Sequence, residues 1–146
     1  MLKINLLIII LISGLLGACG FHKPTDITPL NVSITGDMNS VFAAEFKKHL
    51  NAKAAKSLTV KIGKSTQNKR ASTYTAGTAS SHILTLSIPV TISRDKKLLA
   101  SVTLTASTVA SELSLQQANR LQEDSSYAQL RHEIISKLLR RLNTLK

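Results

Sequence analysis

Residues 84–92 limit what this chain can fold into more than any other stretch. Leu84, Leu86, Ile88, Val90 and Ile92 alternate with Thr85, Ser87, Pro89, Thr91 and Ser93. A period of two sends the two sets to opposite sides of a strand, one side apolar and one lined with hydroxyls. Arg94-Asp95-Lys96-Lys97 then makes a turn, and Ala100, Val102, Leu104 and Ala106 return against Ser101, Thr103, Thr105 and Ser107. The pair predicts a β-hairpin whose apolar face must be covered and whose hydroxyl face need not be. Pro89 has no N–H for a ladder, which places it at a bulge or on an edge.

Cover for that face is available in two helical patterns. From Ser40 to about Ala55, Phe42, Phe46 and Leu50 recur at i+4 while Glu45, Lys47 and Lys48 lie off the stripe, and Asn39 or Ser40 can cap the start. From about Gln122 to Leu145, Tyr127, Leu130, Ile134, Leu138, Leu142 and Leu145 form a longer stripe, with Glu123, Arg131, Lys137 and Arg141 outside it. Basic residues in its final turns complement the negative end of the helix dipole. Two short strands complete the set. Leu30, Val32 and Ile34 alternate with Asn31, Ser33 and Thr35 and end at Gly36-Asp37; Leu58, Val60 and Ile62 alternate with Thr59, Lys61 and Gly63. Residues 64–81 are polar and poor in large apolar groups, which predicts a long exposed loop with some extension of the flanking strands.

The order strand–helix–strand–strand–strand–helix predicts an α+β two-layer sandwich. Its sheet is expected to be four-stranded and mostly antiparallel, with both helices on one face. Leu86 and Val102 should pack against Ile134 and Leu138. The opposite face would carry Ser33, Thr35, Thr59, Lys61, Thr85, Ser87, Thr91, Ser93, Ser101, Thr103 and Thr105.

The N-terminus reads as a bacterial lipoprotein signal. Lys3 gives a positive start, Ile4 to Leu16 form a short apolar run, and Leu16-Gly17-Ala18-Cys19 closes it. Such a run falls short of the roughly 20 apolar residues a membrane span needs. Residues 1–18 are expected to be removed, and Cys19 to carry a diacylglycerol on sulfur and an N-acyl chain as its only attached groups. Gly20 follows the cysteine where inner-membrane lipoproteins commonly have aspartate, so the outer membrane, on its periplasmic side, is the expected location. Residues 19–29, with Pro24 and Pro29, make a tether, and 30–146 a single domain.

The chain carries a net charge of +11, and losing Lys3 with the signal leaves +10. That charge calls for an anionic partner. Export and acylation argue against nucleic acid, and the chain has no Trp and few aromatics to stack on bases. Lipid phosphates remain. Catalysis has little support. Glu123 and Asp124 are the one adjacent acidic pair and diverge on a helix; His22, His49, His82 and His132 have no metal-ligand spacing. Cys19 is committed to lipid, and no serine sits in a Gly-x-Ser-x-Gly elbow. A non-enzymatic protein with no cofactor or metal is expected.

Cys19-Gly20-Phe21-His22 after the signal, the order of elements, and Ala128-Gln129-Leu130 ahead of Leu138, Leu139 and Leu142 resemble the lipopolysaccharide-assembly lipoprotein family (LptE, or rare lipoprotein B). Lys23-Pro24 follows the start where members have Leu-Arg-Gly or similar, and Ser81-His82 stands in place of a Glu-Tyr pair. The resemblance implies a plug inside the outer-membrane β-barrel LptD that supports the barrel's assembly, binds lipopolysaccharide and helps deliver it to the outer leaflet. A free-standing envelope lipoprotein, acting as a structural or cell-wall adaptor, is the alternative. With strands two to four as a meander, Lys64, Lys69 and Arg70 fall near Arg120, where the family tends to keep a basic residue. Lys69, Arg70 and Arg120 are therefore the expected lipopolysaccharide-binding residues. Lys53, Lys56, Arg94, Lys96 and Lys97 fall at the opposite end.

Overall fold

The computed structural model describes residues 30–145; the signal, Cys19 and the tether to residue 29 lie outside the described residues. The elements are β1 (Asn31–Gly36), α1 (Val41–Lys47), β2 (Lys56–Ile62), β3 (Thr66–Thr75), β4 (Thr78–Arg94), β5 (Lys97–Ser111) and α2 (Gln116–Thr144). β4 is the axis of the sheet. β5 pairs antiparallel along one side of it, from Ser81↔Ser111 to Arg94↔Lys97. The other side is shared end to end by β2, opposite residues 90–93, and β3, opposite residues 78–87. β1 adds parallel to β2, so the sheet is open and mixed.

The α+β class and the single helical layer agree with expectation, but the sheet has five strands, not four. Residues 66–75 form a strand instead of part of a long loop. β3 is exposed almost throughout, so it shows no apolar alternation. Backbone pairing to β4 holds it, and that leaves no mark on hydropathy. The junction between β2 and β3 lies at Pro89. Ile62 faces Val90 and Thr66 faces Ser87, one residue more on this side than on β4, and the Gly63 N–H donates to the Pro89 carbonyl at 2.8 Å. Proline gives no N–H in return, so the ladder breaks there, and of the two expected placements, bulge or edge, Pro89 sits opposite a bulge.

Both helices differ in length from their patterns. α1 spans seven residues, with the Ser40 Oγ accepting from the Ala43 N–H at 3.3 Å. Beyond Lys47 the chain tightens into single turns, and the Asn51 N–H donates to the Leu30 carbonyl at 3.1 Å. The chain has to turn there to bring Lys56 beside Asn31. The Asn31 amide, buried at this crossover, donates to the Ala54 carbonyl at 2.9 Å. α2 starts at Gln116, earlier than its stripe, because its first turns stand clear of the core and need no apolar face. The Asn119 side chain fixes that start, accepting from the Leu113 N–H at 2.7 Å and donating to the Leu113 carbonyl at 2.8 Å.

One apolar cluster joins the layers: Leu84, Leu86, Ile88 and Ile92 of β4, Val60 and Ile62 of β2, Phe42 and Phe46 of α1, and Leu130, Ile134 and Leu138 of α2. Leu86 is fully buried as expected, whereas Val102 is only partly buried, packed at the margin. Glu45 and Arg131 pair across the helices at 3.1 Å. Gly36 cannot be replaced cheaply. At φ 85° its position would drive a Cβ to 2.2 Å from the Ile62 carbonyl oxygen.

Candidate functional site

Two regions have the chemistry to meet a ligand: the hydroxyl face, and the end of the molecule where β3 turns into β4. On the hydroxyl face the parity read from the sequence holds. Thr85 faces Ser107, Ser87 faces Thr105, and Thr91 faces Ser101. Their hydroxyl oxygens lie 2.9, 3.2 and 3.5 Å apart, a row of cross-strand hydrogen bonds down the β4–β5 pair. Thr59 of β2 lies beside Ser93, and Thr35 of β1 beside Lys61, extending the polar surface to the far edge. Both helices pack on the other face. Among the described residues, nothing covers the hydroxyls.

At the β3–β4 end, Ala76 and Gly77 adopt positive φ of 50° and 81° and close a two-residue turn between Thr75 and Thr78. Lys69 and Arg70 lie in the first half of β3, well before that turn, and face opposite ways. Lys69 is opposite the buried Leu84 and so lies on the helix side, where its Nζ pairs with Glu123 at 3.0 Å. Arg70, opposite Ile83, lies on the hydroxyl side. Arg120 is exposed on α2, one turn ahead of Glu123. The structure therefore pairs Lys69 with Glu123 on the helix side, leaves Arg120 one turn away on α2, and sets Arg70 on the other face. Lys64 sits further along, at the break opposite Pro89.

Polar contacts knit this end together. The Tyr127 hydroxyl donates to the Asn68 carbonyl at 3.2 Å, and burial, reinforced by Glu123 and partly offset by Lys69, raises its pKa above the usual tyrosine value. His82 Nδ1 meets Glu112 Oε2 at 3.0 Å, a pair that sequence spacing does not signal, because His82 lies on β4 and Glu112 just past the end of β5. Tyr74, Leu113, Leu115 and Leu121 are exposed apolar residues of the same end. Among the described residues no three His, Cys, Asp or Glu side chains are placed to hold a metal.

A groove of about 510 Å³ lies at the opposite end, between β5 and the last turns of α2. Ala100, Leu104 and Leu145 supply apolar walls, and Lys137, Arg140 and Arg141 the cations. Lys137 is already engaged, donating to the Thr105 carbonyl at 2.8 Å on the free edge of β5 and pairing with Glu133 at 2.8 Å. As residues of the final helical turns, these cations also complement the helix dipole. Their 3- and 4-residue spacing, which puts them on one helix face, was the signal for more.

No protein-family model and no curated protein matches the chain. Solved structures do resemble it. Rare lipoprotein B from Shewanella oneidensis superposes with a TM-score of 0.67 at 9% identity, covering 78% of this chain and 94% of that one. Uncharacterized lipoprotein B from Nitrosomonas europaea gives 0.63 at 16% identity, covering 77% and 83%. A minor lipoprotein from Acinetobacter baumannii gives 0.53 at 12% identity, covering 77% and 87%. The chain thus has the fold of these lipoproteins.

Proposed function

We propose that this chain is a non-enzymatic lipoprotein of the lipopolysaccharide-assembly type, anchored through Cys19 to the periplasmic side of the outer membrane. It seats in the lumen of an LptD-type β-barrel as a plug, supports that barrel's assembly and helps pass lipopolysaccharide to the outer leaflet. The uncovered hydroxyl face carries this reading. Large barrels have polar lumens, and a wall of Ser and Thr that already pairs across strands meets such a lining without leaving buried groups unsatisfied. The fold shared with rare lipoprotein B and the lipoprotein signal support the same conclusion.

Lipopolysaccharide contact is assigned to the region where Lys69 meets the start of α2, which exposes Arg120, Leu115 and Leu121, with Arg70 on the other face of the sheet. Phosphates flanked by acyl chains ask for cations beside apolar groups. The deciding experiment is extraction in mild detergent with the acylated protein as bait. Recovery of a large β-barrel in a one-to-one ratio is expected. Recovery of the bait alone, from membranes that contain the barrel, would instead favour a free-standing envelope lipoprotein.

A further inference from the structure

The two ends of the body differ in charge, and the chain leaves for its anchor from only one of them. β1 runs parallel to β2, with Asn31 beside Lys56, and β2 runs toward Ile62 away from the β4–β5 turn, with Thr59 beside Ser93. Leu30 therefore lies at the end that holds that turn and the C-terminus of α2, whose capping residue Leu145 accepts through its carbonyl from the Arg94 guanidinium. Lys53, Lys56, Lys96, Lys97, Arg140 and Arg141 are all exposed at this end, against Asp95 alone among the described acidic residues. None of the six takes part in the ion pairs among the described residues. Acidic groups gather instead at the other end, where Glu123 holds Lys69 and Glu112 holds His82.

We propose that this cationic end rests on the anionic phospholipid surface of the leaflet that takes the Cys19 acyl chains. The inference rests on the lipoprotein part of the proposed function and is independent of the barrel. Chain length supplies the second argument. The eleven residue steps from Cys19 to Leu30 reach at most about 36–40 Å when fully extended. α2, with 29 residues, is about 44 Å long and spans the body from one end to the other. A tether leaving the cationic end is too short to lay the opposite end on the membrane. Leu98, 60% exposed beside Lys97 at the β4–β5 turn, offers an apolar contact for the interfacial layer.

The test uses the acylated mature protein in vesicles, spin-labelled through Leu98→Cys or, at the far end, Leu121→Cys. The readout is accessibility to a water-soluble relaxing agent. With about one quarter phosphatidylglycerol in phosphatidylcholine, the label at position 98 should become several-fold less accessible than in phosphatidylcholine alone. The label at 121 should not change. The protection should disappear in about 1 M salt, where the screening length is about 3 Å. It should also disappear in a variant combining Lys53→Gln, Lys56→Gln, Lys96→Gln and Lys97→Gln, which neutralises without repelling. Equal accessibility at 98 in both vesicles would overturn the proposal, as would protection at 121 instead. So would protection that needs lipopolysaccharide in place of phosphatidylglycerol. Mass spectrometry of Cys19 separates the premises: absent acyl chains remove the anchor and the proposal with it, whereas an acylated protein with position 98 exposed overturns the orientation alone.

Discussion

Leu86 sits at the middle of β4 with 1% of its surface exposed, between Leu84 and Ile88 on the same face. Its sheet neighbours cannot fill the space it would leave. Ala106 opposite on β5 is too small, and Gln67 opposite on β3 is polar and exposed. The helices across the layer would have to close the gap, and the Tyr127–Asn68 hydrogen bond and the Arg131–Glu45 pair hold α2 in place and tie it to α1. Leu86→Ala should therefore cost about 3–4 kcal/mol, within the usual 2–5 kcal/mol for such truncations. Thr85→Ala, one residue away on the hydroxyl face, removes a bond to Ser107 between groups water can reach, and should cost about 0.5–1 kcal/mol. The assay is urea and thermal unfolding of a soluble form beginning at Gly20, with the urea slope checked for constancy. For a body of this size the leucine change should lower Tm by about 10–20 °C and the threonine change by only a few degrees. Equal losses at the two positions would refute the assignment of faces.

Four further outcomes are expected. Lys96 lies at φ 68° in the β4–β5 turn, so Lys96→Gly should stabilise the fold by about 1 kcal/mol in the same unfolding assay. Because the Tyr127 pKa is raised in the folded state, stability should be intact below about pH 10 and fall as pH rises beyond it; Tyr127→Phe should lack that part of the fall in a base titration followed by circular dichroism. Changing Lys69, Arg70 and Arg120 together to Glu should weaken lipopolysaccharide binding in a salt-dependent manner while leaving barrel association intact; Arg94, Lys96 and Lys97 to Glu is the control and should matter less, and the reverse result would mean the lipid contacts the other end. Cys19→Ala should leave an unacylated, uncleaved precursor, visible by its mass, without loss of the fold in residues 30–145.

The sequence by itself determined the hairpin of β4 and β5 and which face of it is apolar, because a period of two fixes side-chain direction wherever one face is buried. It also determined the α2 stripe, a bulge or edge at Pro89, and a cap at Asn39 or Ser40, of which the fold uses Ser40. It missed β3, since that strand is held through backbone pairing and its outward side chains meet water, so hydropathy carries no trace of it. Missing β3 also hid the opposite directions of Lys69 and Arg70, which alternate once the segment is extended. α1 stopped earlier than its stripe because the crossover to β2 had to bring Lys56 beside Asn31, a requirement that exists only when the strands meet. The same holds for charge. Composition gives a strongly basic chain, but the exposed cations at the end that holds Leu30, outside the ion pairs among the described residues, and the ion pairs at the other end arise from strand direction. Lys53 and Arg141, far apart in sequence, come to the same end of the body, and Lys69 and Glu123 become partners, only through the pairing of the sheet and the path of α2 across it.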